Sequence, residues 1–313
     1  MAFFADINTT QLFPTITLAD TSADSKAEIY SFGALLNSFE IKTAETFLNI
    51  VDGFVSPQAA LQEMTPAFKS AFLSPFTCRM NEGKYHFADT AYQVEKFFLP
   101  PHAIHGLVYD AIFTVEKTEA TDTYAAVQLS YTYNKEDVGY PFAYTIVHNW
   151  KLEAGNKLTV ATTVTHANAT AIPYAQGWHP YFTLGGSIDS CKLQFSSGNR
   201  VVFDDTLLPT GHLEPEEGFA EGVSLKGIFL DNCFQLTPSD APACILSNDK
   251  LKLSISPSST YPYLQIYTPP HRNSIAIENL SGAPDCFNNG LGLLLLEPNI
   301  PAFFSTTYTV TPL

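Results

Sequence analysis

Residues 127–134 read Val-Gln-Leu-Ser-Tyr-Thr-Tyr-Asn, so apolar or aromatic and polar side chains alternate along this stretch. Successive side chains of an extended strand point to opposite faces, so the alternation predicts a strand with one buried face. The pattern returns at residues 158–164, after an Ala-Gly-Asn turn, and at residues 251–255. Further strands are predicted at residues 263–268, 274–278 and 302–310. Because no long helices separate these strands, the sequence predicts an all-β protein, a large antiparallel β-sandwich with few short helices.

The N-terminal part of the chain predicts a strand pair at residues 28–41 and one helix that begins at Pro57. Ser56 is a suitable N-cap for this helix, and a proline is favoured at the first helical position. Pro66 is predicted to end the helix early. We find no linker-like segment and no internal repeat, so residues 1–313 are expected to form one domain.

Composition limits the partners of the chain. Its 313 residues carry a net charge of −15, with a pI of about 4.8, so the negative charges of a nucleic acid or an anionic membrane would repel it. The chain has three arginines, Arg79, Arg200 and Arg272, which disfavours a phosphorylated substrate because phosphate is usually held by Arg or Lys. The expected partner is an uncharged or cationic small molecule.

Cysteine usage and hydropathy favour a cytoplasmic protein. The five cysteines are scattered, and no CxxC pair occurs, so neither a disulfide framework nor a zinc ribbon is indicated. The N-terminal residues lack the basic start and the apolar core of a secretory signal. The longest aliphatic run, residues 293–296, is far too short to span a bilayer.

Signatures of nucleotide and metal binding are missing from the sequence: there is no Walker loop, GxGxxG, HExxH, GxSxG or EF-hand loop. His102 and His105 are three residues apart, a spacing that places them on opposite faces of an extended strand. We therefore predict no metal and no cofactor.

Five polar residues interrupt apolar or aromatic stretches: Arg79, His105, His179, Asp231 and Glu278. Each has an ordinary explanation taken singly: a surface ion pair for Arg79, a turn for His105, a strand end for His179, a turn cap for Asp231 and the end of an edge strand for Glu278. An unpaired charge is costly to bury, however, so as a group these residues are expected to pair with one another or to face a ligand.

His179 lies in the most distinctive of these stretches, because residues 177–182 read Gly-Trp-His-Pro-Tyr-Phe. The proline is predicted to break the strand directly after the histidine. Aromatic faces pack on the C–H faces of a sugar ring, and an imidazole can move a proton near neutral pH. This stretch therefore suits the floor of a sugar pocket.

Five sequence blocks resemble the aldose 1-epimerase (galactose mutarotase) family. Residues 74–87 read Ser-Pro-Phe-Thr-Cys-Arg-Met-Asn-Glu-Gly-Lys-Tyr-His-Phe, and residues 103–106 read Ala-Ile-His-Gly. The Gly-Trp-His-Pro-Tyr-Phe block follows, then Asp-Asn-Cys-Phe at residues 231–234 and Ile-Glu-Asn-Leu-Ser-Gly-Ala-Pro-Asp-Cys-Phe-Asn at residues 277–288. The blocks occur in the order found in the family and span nearly the whole chain from about Glu28.

The resemblance implies a β-sandwich of the galactose mutarotase-like type, with a sugar in a groove across one sheet. It also implies interconversion of the α and β anomers of free aldohexoses without a cofactor or metal. His179 is then the general acid and Glu278 the general base. Arg79, His105 and Asp231 bind sugar hydroxyls.

Two positions depart from the family pattern: Cys78 replaces a frequent asparagine, and Leu107 replaces a frequent glycine. They leave the acid and base in place but affect the expected sugar preference. The alternatives are a hexose-phosphate 1-epimerase, a non-catalytic carbohydrate-binding β-sandwich and a purely structural β-sandwich. The sequence does not distinguish a monomer from a homodimer, and it leaves open the contribution of residues 37–75 to the pocket.

Overall fold

Strands make up most of the regular secondary structure, in a computed structural model that describes residues 2–44, 46–96 and 98–313. Strand accounts for 50% of the chain and helix for 7%, which confirms the predicted all-β class. The helices are α1 (Pro57–Ala67) and α2 (Cys286–Asn289), with 3-10 turns at Asn81–Gly83 and Ile188–Ser190. The strands are β1 (Phe3–Asn8), β2 (Thr15–Asp20), β3 (Ser25–Tyr30), β4 (Leu36–Lys42), β5 (Phe47–Asn49), β6 (Ala71–Leu73), β7 (Arg79–Met80), β8 (Lys84–Phe87), β9 (Thr90–Gln93), β10 (Phe98–Leu99), β11 (His102–Ile104), β12 (Thr114–Ala120), β13 (Tyr124–Tyr133), β14 (Tyr144–Glu153), β15 (Lys157–Thr165), β16 (Ile172–Tyr174), β17 (Gly177–His179), β18 (Tyr181–Phe182), β19 (Lys192–Phe195), β20 (Ser197–Phe203), β21 (Pro209–Pro215), β22 (Val223–Ser224), β23 (Asp231–Leu236), β24 (Cys244–Ser247), β25 (Leu251–Pro257), β26 (Tyr263–Tyr267), β27 (Ile275–Leu280), β28 (Leu294–Leu296) and β29 (Ala302–Pro312).

Two large antiparallel sheets contain most of these strands. One has nine strands in the order β12-β13-β14-β15-β29-β25-β24-β19-β22. The other has eight strands in the order β21-β20-β23-β26-β27-β17-β6, with β18 also paired to β27. The N-terminal strands β1 to β5 form a separate five-stranded sheet, in which β3 and β4 are the strand pair predicted from residues 28–41.

Aromatic side chains join the two large sheets face to face. Trp178 of β17 packs against Trp150 of β14, with ring centroids 5.3 Å apart, and Phe72 of β6 packs on His148 of β14 at 4.5 Å. Such interdigitation of the inner faces is the core of a β-sandwich. The predicted sandwich architecture is therefore confirmed. That the whole chain forms one domain stays a prediction.

The alternating patterns correspond to the buried and exposed faces of single strands. In β15, Leu158, Val160, Thr162 and Val164 are buried, and their neighbours are partly exposed. Strand β14 ends at Glu153 and pairs with β15 across the predicted turn. In that turn Gly155 has a φ of +80°, which glycine adopts at little steric cost.

The predicted end of helix α1 was wrong by one residue. The Ser56 side chain accepts a hydrogen bond from the Ala59 amide and Pro57 is the first helical residue, as expected, but the helix runs through Pro66 to Ala67. Its end is set by Phe68, which adopts a left-handed conformation and donates its amide to the Met64 carbonyl. Pro66 lies in the last turn, where its missing amide removes one helical hydrogen bond only, to the exposed Gln62.

All five cysteines are free and buried. None of the helices in the described ranges is long and apolar enough to cross a membrane.

Trp178→Ala tests the inter-sheet packing. The indole is buried between β14 and β6, so its removal leaves a cavity, and we expect the free energy of unfolding to fall by about 3–5 kcal/mol. Urea denaturation followed by circular dichroism measures the change. Leu213→Ala on β21, where the side chain is exposed, is the control and should change this free energy by less than about 0.5 kcal/mol. A loss below about 1 kcal/mol for Trp178→Ala would show that this contact does not hold the sheets together.

Candidate active site

Glu278 and His179 lie on the face of the eight-stranded sheet that points away from the sandwich core. Ile277 and Trp178 are buried in the main core cluster, and alternation along a strand sends the next side chain of each pair to the opposite face. Strand β27, which carries Glu278, lies between β26 and β17 in the interior of the sheet. The edge-strand explanation for Glu278 is therefore wrong.

The register of the strands places further polar groups beside Glu278. Gln265 of β26 is directly opposite Glu278, and Cys233 of β23 is opposite Gln265. Since directly paired residues share a face of the sheet, these three side chains form one row across it.

A second row lies two residues along β27. Tyr181 and Tyr267 flank Ala276 in register, and Asp231 is opposite Tyr267. Neither tyrosine hydroxyl forms a hydrogen bond with another described residue. The two rows form the floor of a cleft.

The structure brings all five predicted residues together around this cleft, which has a volume of about 230 Å³. The other walls come from the end of α1, the segment around Arg79 and the rim residues Leu99, Phe203 and Leu207. Residues 65–68 also line the cleft, so part of segment 37–75, whose contribution the sequence left open, contributes to the pocket. The lining residues are Thr65, Pro66, Ala67, Phe68, Cys78, Arg79, Leu99, Ile104, His105, His179, Tyr181, Phe203, Leu207, Asp231, Gln265, Tyr267, Glu278 and Pro284.

Two left-handed residues bring the wall against the sheet. Cys78 has a φ of 48° and His105 a φ of 64°, and the His105 amide donates a hydrogen bond of 2.9 Å to the Cys78 carbonyl. Gly106 follows, and a Cβ there would lie 2.3 Å from the Ser74 carbonyl oxygen, so only glycine fits. This tight segment holds the His105 ring 4.9 Å from the His179 ring and 4.5 Å from the Phe68 ring.

His179 and Glu278 are in direct contact. The His179 Nε2 is 3.3 Å from the Glu278 Oε1, and the two residues are 5% and 2% exposed. Burial lowers the pKa of His179 to about 4 and raises the pKa of Glu278 well above its usual value. Asp231 adds to the rise in the pKa of Glu278, and Arg79 opposes it. The opposite directions of these two shifts favour a pair that shares one proton, held by Glu278 rather than by His179.

The second histidine is also uncharged. Burial lowers the pKa of His105 well below its usual value, and His179 and Arg79 lower it further. The His105 Nδ1 is buried without a hydrogen-bond partner among the described residues. The cleft thus presents a neutral imidazole beside His179.

Asp231 and Arg79 are the other charged groups of the site. The Asp231 Oδ1 accepts a hydrogen bond of 2.8 Å from the Gln265 side chain, and burial raises the pKa of Asp231 although Arg79 opposes the rise. No carboxylate within residues 2–44, 46–96 and 98–313 lies close enough to Arg79 to form an ion pair. The surface ion-pair role considered for Arg79 is therefore not found, and its guanidinium is available to a ligand.

Sequence reasoning missed Gln265, Tyr181 and Tyr267. The Gln265 side chain is buried, and its Oε1 has no hydrogen-bond partner in the described structure, so an unsatisfied acceptor lines the cleft. Gln265 and Tyr267 belong to a strand that was predicted, but their face and cross-strand partners depend on register, which single-strand periodicity does not supply.

A metal site is not formed by the described residues, among which no group of three His, Cys, Asp or Glu is arranged to hold an ion. His102 lies outside the cleft, with its Nδ1 accepting a hydrogen bond from the Glu82 amide.

Comparison with known proteins assigns the family. The family model for aldose 1-epimerases matches residues 14–308. The chain belongs to the aldose 1-epimerase family. It is 27% identical over 250 residues to an uncharacterised protein of Escherichia coli K12, YihR, with 77% of this chain and 78% of YihR covered.

Solved structures share the fold. A galactose mutarotase-like protein from Clostridium acetobutylicum superposes with a TM-score of 0.87 at 17% identity, covering 100% of this chain and 99% of that chain. A galactose 1-epimerase from Lactobacillus acidophilus superposes with a TM-score of 0.84 at 17% identity, covering 99% of each chain. The aldose 1-epimerase fold therefore extends over the whole chain.

Proposed function

We propose that this protein is an aldose 1-epimerase that interconverts the α and β anomers of a free aldohexose by acid–base-catalysed ring opening. The observation that carries the proposal is the buried contact between His179 and Glu278 at the floor of the cleft. It supplies one proton acceptor and one proton donor to a bound sugar, and the reaction needs both. Membership of the aldose 1-epimerase family supports the same reaction.

The reaction begins when the shared proton moves from Glu278 Oε1 to His179 Nε2 across their contact of 3.3 Å. Glu278 Oε2 then accepts the proton of the sugar O1, and His179 donates its proton to the ring oxygen O5. The C1–O5 bond breaks, and O1 becomes the carbonyl oxygen of the open-chain aldehyde. No net charge develops across the two protein groups, because one proton is accepted and one is donated.

Ring closure uses the same two residues in reverse. Rotation about the C1–C2 bond presents the other face of the aldehyde to the O5 hydroxyl. The neutral His179 takes the O5 proton as the C1–O5 bond forms, and Glu278 returns a proton to O1. The pair regains its starting state, with one proton, after each turnover in either direction.

The remaining polar groups hold the sugar. Arg79 and Asp231 bind hydroxyls, and the uncharged His105 supports O5 beside His179. Gln265, which our sequence analysis did not include, offers its unpartnered Oε1 to a sugar hydroxyl.

A free sugar fits the cleft better than a sugar phosphate. Arg79 is the one lysine or arginine among the described lining residues, and it already faces Asp231 and Glu278. A phosphate dianion would need at least one more cation. We therefore propose an uncharged aldose as substrate, and we propose the cytoplasm as its location, which five free cysteines support.

Glu278→Gln and His179→Asn test the proton transfers. Each replacement keeps a side chain of similar size and removes one proton-transfer group, so we expect kcat to fall by about 10²- to 10⁴-fold. Magnetisation exchange between the α and β anomeric protons of glucose and galactose measures the rate at equilibrium.

Glu217→Gln and His212→Asn are the matched controls, since both residues are exposed and neither lines the cleft. They should keep the wild-type rate. A folded Glu278→Gln or His179→Asn variant with an unchanged rate would exclude that residue from the mechanism.

The pH dependence of kcat/KM tests the protonation state of the pair. The pKa of His179 is lowered to about 4, so a second proton binds only near and below that pH, when Glu278 is still protonated and cannot accept the O1 proton. We expect kcat/KM to fall with decreasing pH near pH 4 and to stay constant from above that limb through pH 6. An acid limb centred near 6.5, the ordinary value for histidine, would contradict the one-proton pair.

A further inference from the structure

Cys78 contacts the oxygen of Glu278 that faces away from His179. Its Sγ is 3.9 Å from Glu278 Oε2, whereas Oε1 faces His179. Both Cys78 and Glu278 are buried. Among the described residues, no backbone amide, hydroxyl or side-chain amide donates a hydrogen bond to this carboxyl group, so the thiol is the sole protein partner of Oε2.

The backbone holds Cys78 in a conformation that is uncommon for cysteine. Its φ of 48° lies in the left-handed region, where glycine, asparagine and aspartate are favoured. The conformation is fixed from both sides: the Cys78 carbonyl accepts the His105 amide, and Arg79 begins β7 directly afterwards. The thiol thus reaches Glu278 from a rigid turn that also places two of the proposed sugar ligands.

A thiol is a weak hydrogen-bond donor, whereas the amide of the longer asparagine side chain would donate a normal hydrogen bond. A strong donor would stabilise the charged carboxylate and make it a weaker base. We propose that Cys78 is a positioning residue that packs against Glu278 without tying up Oε2, so that this oxygen is free to accept the O1 proton of the sugar. The proposal rests on the reaction proposed above.

Several other titratable or charged side chains also lie around Glu278. The titratable and charged residues that face it are His179, Tyr181, Arg79, Cys78, Asp231 and Cys233. Within this set, Cys78 is the group in contact with the carboxyl that neither exchanges the shared proton nor binds a sugar hydroxyl in the proposed mechanism. A substitution of Cys78 therefore changes the strength of the hydrogen-bond donor beside Glu278 without removing a proposed proton-transfer group or sugar ligand.

The test is the series Cys78→Ala, Cys78→Ser and Cys78→Asn in the full-length protein. Infrared difference spectroscopy follows the carboxylic acid band of Glu278 against pH, and the band is assigned by its loss in Glu278→Gln. We expect the midpoint to lie about one pH unit lower than in the wild type for Cys78→Asn, because its amide gives the carboxylate one normal hydrogen bond. The serine hydroxyl is too short to reach Oε2, 3.9 Å from the thiol, so Cys78→Ser is the control of similar size and should not lower the midpoint. For Cys78→Ala the midpoint should not fall.

Cys244→Ser is the matched control, since Cys244 is buried in β24 of the other large sheet and is not part of the cleft. It should leave the band midpoint unchanged, and thermal unfolding identifies variants that fold. Cys78→Gln carries the same amide group, so it keeps the test decisive if Cys78→Asn does not fold. Equal midpoints in the wild type and in the folded amide variant would overturn the proposal.

Turnover supplies a second readout. The basic limb of kcat/KM should move to lower pH by the same amount as the band in Cys78→Asn. A shifted band with an unmoved basic limb would show that Cys78 does not act through the base, and would also overturn the proposal. Absence of epimerase activity in the wild type would contradict the proposed function instead, while the band midpoints would still report the effect of Cys78 on Glu278.

Discussion

The site depends on the packing of Trp178 between the two large sheets. Its ring lies 5.3 Å from Trp150, 4.9 Å from His148 and 4.8 Å from Phe72, measured between ring centroids. Because side chains alternate along a strand, burying Trp178 on the inner face directs His179 to the outer face. Ile277 acts in the same way on Glu278. The apolar core therefore determines where the proposed acid and the proposed base lie.

Burial then determines what these two groups can do. An isolated buried charge is costly, so His179 and Glu278 lie in contact and share one proton instead of both being ionised. Arg79 differs from this pair because its guanidinium is always charged. It faces the cleft without an ion-pair partner among the described residues. A cleft that holds one mobile proton and one fixed cation is suited to a neutral, hydroxyl-rich ligand, whose hydroxyl groups can both donate and accept hydrogen bonds.

Much of this arrangement could be predicted from local sequence. Alternation identified β13, β15 and β25, and Pro180 breaks the strand after His179, as its covalent geometry requires. The five blocks also identified the arginine, the two histidines and the two carboxyl residues that line the cleft.

The remaining features depend on contacts between distant parts of the chain. Gln265 enters the site because it is in register with Glu278, and Cys78 because a left-handed turn brings its thiol to Glu278. Neither relation is visible in a single strand or motif. Helix α1 passes Pro66 for a local reason that was not foreseen: the Phe68 cap, two residues later, sets its end.

The most direct test of the account is polarimetry of freshly dissolved α-D-glucose and α-D-galactose with and without the protein. We predict faster relaxation to the same final rotation in its presence, because a catalyst that opens and closes the ring changes the rate and not the equilibrium between anomers. The ratio of the two accelerations would also rank the sugars. Relaxation at the uncatalysed rate for both sugars, together with calorimetric evidence that they bind, would contradict the account and identify the cleft as a carbohydrate-binding site without turnover.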